Sequence, residues 1–110
     1  MKFIITESKL ENIIFKYLDN QDFVKVEKNN DIYFVNSEGD EIAMIRFIKN
    51  DGWCYINYDL VKEIFSFFSM KEFDSEQVIG RWVESTLQMK GSNTYTWNPG
   101  AINKLKVPYK

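Results

Sequence analysis

The chain changes hydrophobic period twice, and those changes divide it into elements. In "TESKLENIIFKYLDN" the apolar residues Leu10, Ile13, Ile14, Tyr17 and Leu18 recur at i, i+3, i+4, i+7 and i+8, the stripe of an amphipathic helix. Thr6 is the expected N-cap, with Ile5 and Leu10 in the staple positions and Glu7 at the positive end of the helix dipole; Ser8 with Glu11 is a competing capping box. Phe15 lies off the stripe.

From Asp22 to Tyr58 the period falls to two. The segments "DFVKVEK", "IYFV", "EIAMIRFI" and "WCYINY" are separated by the turn signals "NND", "NSEGD" and "KNDG". This predicts a four-strand antiparallel meander, with Asp51-Gly52 the strongest turn. In the third segment Ile42, Met44 and Ile48 alternate with Ala43, Ile45 and Phe47, so apolar groups point both ways and the strand is expected to be central and covered on both sides.

Asp59 is the expected cap of a second helix over 59–70, "DLVKEIFSFFSM", whose apolar residues Leu60, Val61, Ile64, Phe65, Phe67 and Phe68 occupy more than the usual third of the circumference. A third helix is predicted with Phe73 and Val78 as staple, Asp74 as cap, Gln77 completing the box and Gly91 as stop. Its stripe runs through Val78, Ile79, Trp82, Val83, Thr86 and Leu87. Gly80 interrupts it, at about 1 kcal/mol relative to alanine, so close packing on a neighbouring element or a partner is expected there.

After Gly91 the chain reads "SNTYTWNPGAINKLKVPYK", in which Asn98-Pro99-Gly100 fits a type II turn. Two readings stay open. "TYTW" and "INKLKV" form a short hairpin, or the segment is an extended arm that docks elsewhere. The predicted fold class is therefore α+β: an N-terminal helix, a four-strand antiparallel meander, two helices, then a hairpin or tail, with 1–90 a single domain and 91–110 a tail or docking arm.

Charge sharpens that division. The 110 residues carry a net −2, but the last twenty hold Lys104, Lys106 and Lys110 with no acid, which leaves the first 90 at −5. A hydrophobic content of 45% with 16% aromatics is enough for one core without metal or disulfide. Neither a signal-peptide core nor an apolar run near the roughly 20 residues of a membrane span is present, and the lone Cys54 makes no internal disulfide; the expected location is cytoplasmic.

Several chemistries lack their residues. There is no histidine, so the usual general base and transition-metal ligand are missing. Cys54 stands between Trp53 and Tyr55 with no cation at hand, and reads as a buried, inert thiol. The acidic loop from Asn36 to Glu41 lacks the spacing of a calcium loop, and the five glycines, at 39, 52, 80, 91 and 100, make no phosphate cradle. In a helix-turn-helix reading the exposed side of the third helix would offer acids around a single Arg81, which repels phosphates. Strand aromatics such as Tyr33, Phe34, Phe47, Trp53 and Tyr55 stand among nearly as many acids as lysines, unlike the cationic platforms of single-strand binders. The expectation is no catalysis, no cofactor, no metal and no nucleic acid.

The opening "MKFIITESKLENII" and the run "YDLVKEIFSFFSMKEFDSEQVIGRWVESTLQMKG" resemble short uncharacterised reading frames of tailed bacteriophages and uncultured viruses, some with a similar helix pair ending in "WVE". The resemblance implies a viral origin and no particular activity.

The functional expectation is thus a protein-binding or structural module, a small phage accessory or virion component acting by self-association or by docking on a larger partner in the host cytoplasm or the virion. Phe15, Phe65, Tyr95, Trp97 and Leu105 are the candidate contact residues, because surplus aromatic and aliphatic groups supply most interface energy. The alternative is a viral counter-defence protein that sequesters a small nucleotide or metabolite in an aromatic pocket.

Overall fold

A computed structural model describes residues 7–91, 93–97 and 103–109. It is α+β, with three helices and one five-strand mixed sheet in the order β1-β2-β3-β4-β5. The elements run α1 (Glu7–Asp19), β1 (Val24–Lys28), β2 (Asp31–Val35), β3 (Ile45–Ile48), β4 (Trp53–Asn57), α2 (Tyr58–Phe67), α3 (Glu72–Leu87), β5 (Asn93–Trp97) and a 3-10 turn, Asn103–Leu105. The expected Thr6 cap, the Ile5 staple and the Asn98-Pro99-Gly100 turn lie outside the described residues.

Strands β1 to β4 pair antiparallel in sequence order. Asn29 and Asn30 both take positive φ (52° and 67°) between the facing pair Lys28 and Asp31, which is the left-handed conformation that a two-residue hairpin needs. At the β3–β4 turn Gly52 has φ 76° and the Asp51 side chain accepts a hydrogen bond from the Trp53 amide at 3.1 Å.

β5 departs from the expected layout. It pairs in parallel with β4, Trp53 facing Asn93 through Asn57 facing Trp97, instead of forming a hairpin with the chain that follows it. Parallel neighbours need a long crossover, and α2 and α3 supply one. α3 returns the chain to the start of β4, where a Cβ on Gly91 would crowd the Gly52 carbonyl oxygen at 3.2 Å.

The core lies between the helices and one face of the sheet. Ile14 and Leu18 of α1, Leu60, Val61 and Ile64 of α2, and Val78, Ile79, Trp82 and Val83 of α3 pack on Ile32, Phe34, Ile45, Phe47, Cys54 and Ile56. The α1 stripe thus points inward except at Ile13, which is exposed. Trp82 fixes α3 to α1 by donating from Nε1 to Asp19 Oδ1 at 2.9 Å.

A second, smaller cluster on the other face joins Tyr33, Val35, Ala43 and Val107. It explains two differences from the strand pattern. β2, not β3, is buried along its whole length on both faces, because the C-terminal segment packs over it. β3 is also shorter than the period-two run: Ala43 belongs to the open-face cluster while Ile45 and Phe47 belong to the helix-face core, so strict alternation breaks at Met44. Residue 42 makes only an isolated bridge with Lys106. With apolar groups at consecutive positions, alternation alone does not select a register.

Helix ends shift from the expected caps. Asn57, not Asp59, caps α2, its Oδ1 accepting from the Asp59 amide at 2.9 Å, and Asp59 sits in the first turn where its charge suits the dipole. α3 begins a turn earlier than Asp74, at Glu72, because the Ser75 amide already closes on the Lys71 carbonyl at 3.0 Å. Phe73 then lies in the first turn at 67% exposure and does not staple. The helix ends on Gln88 in the left-handed region (φ 53°), three residues before Gly91.

Candidate functional site

Three helices cover one face of the sheet; the other carries an aromatic ladder. The register aligns Val26, Tyr33, Arg46, Tyr55 and Tyr95 in one row across all five strands, with Lys28, Asp31, Ile48, Trp53 and Asn93 in the next. At the β4–β5 end four rings meet. Trp53 and Tyr95 stack with centroids 4.8 Å apart and planes 18° from parallel. Tyr55 touches Trp53 at 6.4 Å, Tyr95 at 6.3 Å and Trp97 at 5.8 Å, the last edge to face. Such pairs contribute about 0.5–1.5 kcal/mol each beyond the area they bury.

Arg46 sets the inner boundary of this patch. Its guanidinium lies 5.5 Å from the Tyr33 ring centroid and 5.9 Å from that of Tyr55, donates from Nε and Nη2 to Asp31 Oδ2 at 2.9 and 2.6 Å, and donates from Nη1 to the Lys104 carbonyl at 3.0 Å. One side chain thereby joins β2, β3, β4 and the C-terminal turn. The chain beyond it is held to residues 40–43: Ala43 N–H to Leu105 O, Val107 N–H to Glu41 O, each 2.8 Å, and Tyr109 O–H to Asp40 O at 2.7 Å.

On the helix side, Glu76 of α3 clamps β5. Its carboxylate accepts from Thr94 Oγ1 at 3.0 Å and Thr96 Oγ1 at 2.5 Å, while Gln77 Nε2 donates to Thr94 Oγ1 at 2.9 Å. Beside this clamp a cleft of about 440 Å³ opens between α3 and the strands, lined by Phe73, Glu76, Gln77, Glu84, Asn93 and Tyr95 among others, with Cys54 at its base. Burial pushes the Cys54 thiol up to about 12, and the charges of Glu84 and Glu76 add to the effect. The thiol is therefore protonated at neutral pH and is a poor nucleophile. Among the described residues no group of three or more His, Cys, Asp or Glu is placed to hold a metal ion. No helix among them is long and apolar enough to cross a membrane.

The five contact residues expected from sequence are split by the fold. Tyr95 and Trp97 stand together on the open face, Tyr95 at 42% exposure and Trp97 half-buried. The Trp97 Nε1 is buried with no hydrogen-bond partner among the described residues. Leu105 is 1% exposed and serves the interior. Phe15 and Phe65 are half-buried on the helices and pack against the main core, Phe65 also meeting Tyr58 at 6.5 Å. Sequence reasoning did not place Trp53 and Tyr55 beside Tyr95 and Trp97. The signal was there: both "WCY" and "TYTW" put two aromatics at i and i+2, on one face of any strand they form.

A second exposed apolar group lies on the helix side, where Phe67, 67% exposed, meets Tyr17 at 5.2 Å and Phe68 at 4.9 Å. It brings three rings together where the β4–β5 end brings four. The chain matches no known protein family, no curated protein and no solved structure.

Proposed function

We propose that the protein is a non-enzymatic contact module that docks on a protein partner through the open face of its sheet, with Trp53, Tyr55, Tyr95 and Trp97 as the contact residues. The observation that carries this reading is the four-ring patch on the uncovered side of β4 and β5. Rigid aromatics clustered in one place are what interface hot spots are made of. Their mutual packing bears on the kind of partner: Trp53 and Tyr95 spend a π face on each other, so the patch does not offer the successive free faces that base stacking uses.

The sequestering alternative would use the cleft between α3 and β5. Its lining sets Glu76 and Glu84 against one cation, Arg81, which is already paired with Glu11, and the surplus carboxylate charge repels the phosphates of a nucleotide. The contact reading therefore comes first. Taken with the resemblance of the sequence to phage reading frames, it makes the protein a small accessory or virion component, acting in the host cytoplasm or in the particle.

The test is substitution on the face. Trp97→Ala should weaken association by on the order of 2 kcal/mol, measured by sedimentation, whereas Lys104→Ala should chiefly change its salt dependence. Association indifferent to Trp53, Tyr55, Tyr95 and Trp97 alike would contradict the reading.

A further inference from the structure

The two edges of the sheet are built differently. β1, "VKVEK", carries Lys25, Glu27 and Lys28 within five residues, and Glu27 is further paired with Lys49. Charges of this kind are how sheets prevent edge-to-edge pairing. β5, "NTYTW", has no charge and no proline, and among the described residues no strand lies beyond it. An aromatic and β-branched strand left this bare is a template for another strand.

Its sequence also suits pairing with its own copy. Around Tyr95 the segment is symmetric, Thr94 and Thr96 flanking the ring. Antiparallel pairing of β5 with its own copy, about a two-fold axis at Tyr95, would set Tyr95 against Tyr95, Thr94 against Thr96, and Asn93 against Trp97. Thr–Thr and aromatic pairs are the favourable cross-strand combinations, and no like charges meet. Glu76, the acid beside this edge, is already engaged by the Thr94 and Thr96 hydroxyls of its own chain. The ladder of one protomer would run into that of its partner, through Trp53 and Tyr95 on each side.

We propose that the free edge of β5 is a docking site for a second copy of this chain, joined strand to strand at Tyr95 into one continuous sheet. The inference rests on the contact reading above and names one partner for it. In that dimer the facing Tyr95 Cα atoms stand about 4.5–5.5 Å apart, within disulfide range.

Two variants test it. Tyr95→Lys sets two ammonium groups opposite each other and should raise the dimer dissociation constant at least about tenfold by light scattering. Tyr95→Cys, oxidised, should give a covalent dimer on non-reducing gels, while the wild-type chain, whose Cys54 is buried, stays unlinked under the same oxidant. A dimer that survives Tyr95→Lys and does not cross-link through position 95 overturns the edge and leaves the contact reading standing with another surface. A wild-type chain that is monomeric at every concentration overturns the second-copy proposal outright, and the contact reading then requires a different protein.

Discussion

Gly80 of α3 lies so close to Thr94 of β5 that a Cβ built on the glycine would overlap the threonine Cγ2. The threonine cannot easily turn away, because its Oγ1 is held by both Glu76 and Gln77. A helix-interior glycine that looks costly in the sequence is thus what lets the last strand lie against the last helix.

Gly80→Ala should therefore destabilise the protein by about 1–3 kcal/mol, although alanine is the better helix former by about 1 kcal/mol. Thr94→Ser removes the offending methyl and keeps the hydroxyl. In that background Gly80→Ala should become neutral or stabilising, and a double-mutant cycle of chemical denaturation midpoints measures the coupling. Equal effects of Gly80→Ala in both backgrounds would show that the two elements are not in contact.

Arg46→Ala should cost about 2–3 kcal/mol, since it leaves the buried Asp31 carboxylate without its partner and frees the Lys104 carbonyl from the sheet. Arg46→Lys should recover only part of this, because one ammonium cannot reproduce the guanidinium's paired donors and its stacking between Tyr33 and Tyr55. Thermal melts of the three proteins give the ranking.

A chain ending at residue 91 should lose more than about 12 °C of melting temperature or its cooperative transition altogether. It lacks β5, the Glu76 clamp and the segment that covers Val35 and Ala43. An unchanged melt would mean that the last residues are an appendage after all.

Stability should decline as pH rises above about 9. The folded state keeps the Cys54 proton, its thiol raised to about 12, while the unfolded chain releases its own near the ordinary value of 9.0. The unfolded state then binds fewer protons, so the free energy of unfolding falls with pH. Burial raises Tyr17 and Tyr33 in the same direction, which extends the decline above 10. Cys54→Ala should flatten the part between 9 and 10, and a thiol reagent should modify wild-type Cys54 slowly until denaturant is added.

Local periodicity made the helix stripes and the meander legible, because i, i+4 and i, i+2 patterns report directly on which face is buried. The α1 stripe apart from Ile13 and the α3 stripe apart from the exposed Thr86 are of this kind, while the close packing at Gly80 was signalled by the cost of a glycine inside a helix. What it did not reveal are relations between distant segments. The parallel pairing of β5 with β4 spans about forty residues of chain and leaves no local mark beyond matching aromatic alternation. The α2 cap slipped by two residues because two polar residues competed: Asn57 and Asp59 both suit its start, and the extended backbone at Asn57, whose side chain accepts from the Asp59 amide, decides between them. The register break at Met44 was invisible for the opposite reason, since Ala43, Met44 and Ile45 are all apolar and either face accepts them.

Contact between chains and uptake of a small molecule make different demands on mass and melting temperature. Size exclusion with light scattering, run over a dilution series beside a thermal-shift panel of nucleotides, separates them. With contact through the sheet face, the mass should exceed the 13.1 kDa of one chain and fall toward that value on dilution, with no nucleotide raising the melting temperature. A mass of one chain at every concentration, together with clear stabilisation by a nucleotide, would contradict the contact reading.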